Sequence, residues 1–323
     1  MIGRALDHFR LLEQIGAGGM GDVYRAVDER TGEQVAVKVL RQHLRADPEH
    51  RARLRQEART LAILGNRAVC AWRGSGRCAG VDYLAMEFAT GRPLRAQMDG
   101  CPLPPAVVLG LGIPIGRALA AIHDHGVVHG DVKPENVLVS SSGRIKLLDF
   151  GLSRMVSHAS GWTDARPAAG SSVPLSRAET ISATWLHGRS PGGTLPYMSP
   201  EQARGEPIDP RSDLFSYGIV LYELATGLRP FSGRTWADIL TSILRDIPVP
   251  PSALAGPGLA ALDPIIDRCL RKEPTKRWQD ADEVVAALED AAETSAHDRR
   301  PAGRCTILGT SQSPCVGSRS VNP

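Results

Sequence analysis

Lys38 stands in the middle of an apolar run, Val35-Ala36-Val37-Lys38-Val39-Leu40. The β-branched, alternating stretch from Gln34 to Leu40 reads as a strand. An ammonium inside an apolar strand is costly unless it meets anions. Whatever this chain folds into must therefore deliver negative charge to that side chain. One source is a carboxylate. Between Pro48 and Leu64 the pattern becomes helical, with Arg51, Leu54, Ala58, Leu61, Ala62 and Leu64 along one face and Glu57 on the same helix. The other source is a bound phosphate. Taken singly, a Lys on a solvated edge strand and a Glu on a solvated helix face would be ordinary.

What precedes Lys38 is Ile15-Gly16-Ala17-Gly18-Gly19-Met20-Gly21-Asp22-Val23. Glycines at 16, 18 and 21 leave room for phosphates against bare backbone amides. The spacing alone fits a dinucleotide-binding turn, a lid over a nucleotide, or a plain glycine loop. A dinucleotide turn would open a helix at once. Here Asp22-Val23-Tyr24-Arg25-Ala26-Val27 continues as a strand, which favours a β-hairpin lid.

Two more motifs follow in order: His129-Gly130-Asp131-Val132-Lys133-Pro134-Glu135-Asn136-Val137-Leu138 and Asp149-Phe150-Gly151. With them the set resembles the eukaryotic-like (Hanks-type) protein kinases, bacterial serine/threonine kinases in particular, over residues 9–290 or so. The resemblance implies an α+β, bilobal protein-kinase fold, with a small β-rich N-lobe (9–91) and a larger, mainly helical C-lobe (92–290). It implies transfer of the γ-phosphate of ATP, with Mg2+, to Ser and Thr hydroxyls of protein substrates. Autophosphorylation through transient self-association belongs to the same expectation.

By position, Gly16, Ala17, Gly18, Gly19, Met20, Gly21 and Asp22 would cover the phosphates. Lys38 would hold the α/β-phosphates and pair with Glu57. Asp131 would be the base that orients the acceptor hydroxyl, and Lys133 would neutralise the transferring group. Asn136 and Asp149 would hold magnesium, which needs hard oxygen ligands. Ile15, Val23, Ala36 and Leu138 would clamp adenine. Met86 would be the gatekeeper ahead of a hinge, Glu87-Phe88-Ala89, whose backbone meets the adenine edge. Phosphoryl transfer is mostly positioning plus neutralisation of a polyanion, so these residue types suit it. Leu61, His129 and Phe150 match positions of an internal spine, which makes His129 a scaffold residue and not a base. Gly193-Thr194-Leu195-Pro196-Tyr197-Met198-Ser199-Pro200-Glu201 resembles the segment that docks the peptide, with Thr194 against Asp131 and Lys133. Glu201 would pair with Arg277, and Asp213 would anchor the catalytic loop.

Three departures stand out. Gly130 replaces the usual Arg of the catalytic loop, so an activation-segment phosphate lacks its main counter-charge. Ser199 replaces the usual Ala. The stretch from Asp149 to Glu201 is long, with an insertion at about 155–192 rich in hydroxyls, which reads as a disordered insertion or a regulatory segment. Two other functions compete. Aminoglycoside- and choline-type phosphotransferases also carry a His-Gly-Asp loop, but Lys133, Thr194 and Arg277 point to a protein substrate. A pseudokinase scaffold would have lost Lys38, Asp131, Asn136 or Asp149, and all four are present.

Composition narrows the rest. The 38 basic and 35 acidic side chains leave a formal net charge of +3, which makes no case for nucleic acid as a partner. The six cysteines are scattered and read as reduced thiols. Residues 1–8 read as an N-terminal extension without an apolar signal core, no uninterrupted apolar run reaches a membrane span, and a cytoplasmic location is expected. Residues 291–323, poor in large apolar groups, read as a disordered tail.

Overall fold

The computed structural model describes residues 1–18, 21–155 and 195–297. Gly19, Met20, Thr194, the hydroxyl-rich insertion and the chain beyond 297 lie outside the described residues.

Six antiparallel strands form one sheet in the order β1-β2-β3-β4-β6-β5: β1 (Ala5–Leu6), β2 (Phe9–Ala17), β3 (Gly21–Asp28), β4 (Gln34–Leu40), β5 (Trp72–Cys78) and β6 (Val81–Glu87). The first eight residues are thus no mere extension: Ala5 pairs with Arg10, and Leu6 is fully buried. The period of two along β4 organises this sheet. Val35, Val37 and Val39 enter an apolar cluster with Phe9, Tyr24 and Tyr83. Ala36 and Lys38 point to the other face.

Helix α1 (Pro48–Leu64) crosses that other face. Asp47 caps it by accepting from Glu49 N, Pro48 fits its first turn, and Gly65 ends it with φ 45. Leu54, Glu57, Ala58, Leu61 and Leu64 are buried, whereas Ala62 is exposed, so the inner face is narrower than the sequence pattern suggests. Those leucines belong to the main apolar cluster, which runs on into the second lobe through Leu84, Val69 and Leu147. One core therefore spans both halves.

The second lobe begins with the short strand β7 (Arg92–Pro93) and helix α2 (Pro105–His123), then β8 (Val127–Val128), β9 (Val137–Val139), β10 (Ile145–Leu147) and β11 (Arg154–Met155). Strands β10-β9-β7 form one small sheet and β11-β8 another. Five helices follow: α3 (Pro200–Arg204), α4 (Pro210–Thr226), α5 (Trp236–Arg245), α6 (Pro251–Ala255) and α7 (Asp263–Cys269), and then α8 (Ala281–His297). Contrary to the expectation from apolar runs, α2 is long and apolar enough to cross a membrane by length and composition. Here it is a core helix, its Leu109, Ile115 and Leu119 buried with α4 and α8. Helix α4 is buried along almost its whole length and forms the floor to which the loop carrying Asp131 is fixed.

Candidate active site

Strand register sets the upper wall. Lys38 on β4 lies opposite Val23 on β3 and Leu84 on β6, and Ala36 lies opposite Met86. Lys38 Nζ donates to Glu57 Oε1 and Oε2 at 3.0 and 2.8 Å and to Asp149 Oδ1 at 2.9 Å. Lys38 is 8% exposed and Glu57 1%. Burial alone would pull the lysine pKa down, but Asp149 and Glu57 outweigh it and raise the value. The lysine that demanded anions has two of them, from opposite lobes.

The glycine loop forms the hairpin between β2 and β3, with Gly16 opposite Val23, Ala17 opposite Asp22, and Gly18 N donating to Gly21 O at 2.8 Å. Gly21 is required by close approach, because a Cβ there would lie 2.5 Å from Val39 O. Asp22 turns away to meet Arg41 Nε at 3.1 Å. Ile15 is 45% exposed at the rim. Leu138 on β9 lies across from Pro93, just past the Glu87–Ala89 stretch, and forms the lower wall.

The lower loop hangs from α4. Asp213, 1% exposed, accepts His129 N at 2.7 Å and Gly130 N at 2.8 Å, and also meets His123 Nε2 at 2.9 Å. His129 is fully buried against Phe150, ring centroids 4.7 Å apart. Its Nδ1 accepts from Asp131 N, so Nε2 carries the proton and donates to Leu148 O at 3.0 Å. That binding leaves His129 no role as a base, in line with the scaffold reading. Asp131 Oδ2 receives Lys133 Nζ at 2.8 Å and Asn136 Nδ2 at 3.0 Å. Asn136 Nδ2 also donates to Asp131 O, which turns its Oδ1 the other way. Register completes the cluster: Val137 pairs with Leu147, and Leu148 N donates to Asn136 O at 2.8 Å. Asn136 and Asp149 thus flank the β9–β10 pair on the same end. Asp149 holds φ 62, a left-handed backbone unusual for a side-chain-bearing residue.

Donor chemistry fits magnesium: a carboxylate on Asp149 and an amide oxygen on Asn136. Among the described residues no three His, Cys, Asp or Glu side chains converge as a metal site, so further oxygens have to come from a nucleotide or water.

The stretch expected to dock a peptide begins, among described residues, with the turn Leu195–Tyr197. Ser199, fully buried, caps α3 in a reciprocal box with Gln202, a task Ala could not perform. Gln202 Nε2 also donates to Gly130 O at 2.8 Å. Arg277 forks onto both oxygens of Glu201 at 2.8 Å.

Sequence reasoning missed several partners. Thr60 Oγ1, one turn from Glu57, lies 3.0 Å from Ser153 Oγ, which itself donates to Phe150 O. Lys146 Nζ meets Glu87 Oε2 at 2.9 Å and Val69 O at 2.8 Å behind the hinge. Arg95 joins Glu135, Glu223 and Tyr197. Helical spacing to Glu57 could have marked Thr60 alone; its partner Ser153, like the partners of Lys146 and Arg95, depends on chain crossings that no local pattern records.

The assembled pieces agree with a comparison to known families: residues 9–288 match the protein kinase domain. The chain belongs to the protein kinase family. Its bilobal architecture is the kinase fold, as the Mycobacterium tuberculosis PknI kinase domain also shows, at TM-score 0.66, 25% identity, 91% coverage of this chain and 99% of that one. This kinase domain is 36% identical over 298 residues to serine/threonine-protein kinase PknB of Mycolicibacterium smegmatis, covering 90% of this chain and 44% of that protein. It is 36% identical over 288 residues to PknB of Mycobacterium tuberculosis, covering 87% and 42%. The kinase chain thus spans less than half the length of these curated relatives.

Proposed function

We propose that this chain is an ATP-dependent serine/threonine protein kinase that phosphorylates protein hydroxyls in the cytoplasm, its own among them. The observation that carries the reading is the Lys38–Glu57–Asp149 triangle closed above the Asp131–Lys133–Asn136 cluster. Those groups line a site for a polyanion on one side and a hydroxyl on the other.

In this reading Lys38, fixed by Glu57, holds the α/β-phosphates. Ile15, Val23, Ala36 and Leu138 clamp adenine, Met86 is the gatekeeper, and the backbone of the Glu87–Ala89 hinge meets the adenine edge. Asn136 Oδ1 and Asp149 would hold Mg2+, which supplies charge neutralisation at the phosphates. Asp131 orients the acceptor hydroxyl through a hydrogen bond and takes its proton as the new bond from the hydroxyl oxygen to the γ-phosphorus forms, while the bond from the γ-phosphorus to the β,γ-bridging oxygen breaks and ADP leaves. Lys133, held 2.8 Å from Asp131 in the structure, stabilises the negative charge of the transferring phosphoryl. Domain limits of 9–290, with the insertion at 155–192, belong to the same proposal, but the tail read from 291 begins later, because α8 runs to His297 and Ala291 is buried. The family match over 9–288 supports it.

The test is transfer of labelled γ-phosphate to a Ser/Thr peptide. Asp131→Asn, Lys38→Ala and Asp149→Ala each should lose about 100-fold or more, the scale of removing one such group. Asp131→Asn within tenfold of wild type would remove the assignment of the base. Turnover of aminoglycosides in preference to peptide would overturn the protein-substrate reading.

A further inference from the structure

We propose that Arg95 is a positioning residue for the peptide substrate, tying the docking stretch to the catalytic loop and the floor helix. The inference rests on the protein-kinase reading above.

Arg95 belongs to the short helical turn Leu94–Gln97, directly after β7 leaves the hinge. Its backbone is well fixed, because β7 pairs with β9 and Leu94 is fully buried. The guanidinium uses all its edges. Nε donates to Glu135 Oε1 at 2.8 Å, four residues past Asp131. One terminal nitrogen donates to Glu223 Oε1 at 2.9 Å, on α4. The other reaches Glu223 Oε2 at 3.4 Å and donates to the Tyr197 hydroxyl. Tyr197 in turn donates to Glu223 and stands 2% exposed in the docking stretch. Arg229 lies over the same ring, 5.5 Å from its centroid.

Three parts that must keep register during transfer thus converge on one cation. Glu135 reports the catalytic loop, Tyr197 the peptide seat, and Glu223 the rigid floor. A planar fork presents five donors in fixed directions and so can hold three groups spread around it; a lysine offers one compact point charge. Without Arg95, Glu135 and Glu223 would face each other with less counter-charge, and Tyr197 would lose its partner on one side. All these partners lie on the peptide side, while the nucleotide side is held by Lys38, Glu57 and Asp149. Loss should therefore fall on peptide binding.

The experiment is steady-state kinetics of the full chain, varying peptide and ATP separately. Arg95→Ala should raise the peptide KM by about tenfold, the size of a lost charge-assisted tie, with kcat and the ATP KM within about twofold. Methylguanidine added to Arg95→Ala should lower the peptide KM again, since the seat remains lined by Glu135, Glu223 and Tyr197. Arg95→Lys should fall between, and it carries the test if Arg95→Ala does not fold. An unchanged peptide KM in either folded variant would overturn the proposal. So would an equal rise in both KM values without recovery by methylguanidine, which marks general loss of structure. If wild type transfers no phosphate to peptide in the same assay, the kinase reading itself fails.

Discussion

Arg277 is 1% exposed, and its guanidinium donates five hydrogen bonds: two to Glu201, one from each terminal nitrogen, and three to the carbonyls of Arg271, Arg211 and Lys272. Burial alone would raise the Glu201 pKa, but the Arg277 fork, its charge and Ser212 outweigh that and lower it. Breaking such a pair from one side leaves a buried cation uncompensated, which costs about 3–5 kcal/mol. Glu201→Gln should lose that much in denaturant unfolding at neutral pH. The sign of the pH dependence follows from the depressed carboxylate. Its contribution is present above the ordinary glutamate range and lost as pH falls through the folded value. The gap between wild type and Glu201→Gln should therefore narrow in acid; a gap that widened there would contradict the ion-pair account. Both partners were legible in the sequence, because each sits inside a recognisable local motif. Gly130 was legible only in part. Its missing cation could be read directly, but its φ of 72, with a Cβ position 3.1 Å from Leu152 O, could not, since that contact comes from a distant stretch.

Helix α2 illustrates what an apolar stretch conceals. Its glycines are not equivalent. A Cβ on Gly116 would lie 2.7 Å from Val285 Cγ2 and 3.1 Å from the Tyr217 hydroxyl, so α8 and α4 pack directly on its backbone. A Cβ on Gly110 would meet nothing within 4 Å. Gly116→Ala should destabilise by about 1–3 kcal/mol through overpacking. Gly110→Ala should stabilise by up to about 1 kcal/mol, because it removes helix-interior glycine without touching a neighbour. Thermal unfolding of the two variants separates them, and equal shifts would refute this account of the packing. Elements with local patterns were read well: α1 covers the helical pattern between Pro48 and Leu64, and β4 covers the alternating stretch from Gln34 to Leu40. Those whose limits are set by tertiary contact were not. The tail read from 291 is in part helix, since α8 continues to His297. Ala291 is buried, so packing holds the helix beyond the limit read from composition.

The two lobes meet around a site whose parts are already joined. Lys38 bridges Glu57 and Asp149, Asp213 holds the catalytic loop by its amides, and Gln202 links that loop to the docking stretch through Gly130 O. None of these ties involves a phosphate. In related enzymes an activating phosphate adds close to two negative charges and orders its segment mainly through the catalytic-loop arginine. Gly130 offers no such donor. Arg59 on α1 and Arg154 on β11 are exposed cations that could meet a phosphate, but neither belongs to the catalytic loop. Phosphate on residues 157–190 would therefore have no direct route to Asp131. The expected outcome is that activity does not depend on phosphorylation of the activation segment. Purified kinase would be treated with phosphatase, mass spectrometry would establish that residues 155–194 carry no phosphate, and the initial rate on a peptide would be measured. The rate should stay within about threefold of the untreated enzyme. A fall of about tenfold, equal to about 1.4 kcal/mol in the barrier, that reverses on incubation with ATP would show that phosphate does control this site.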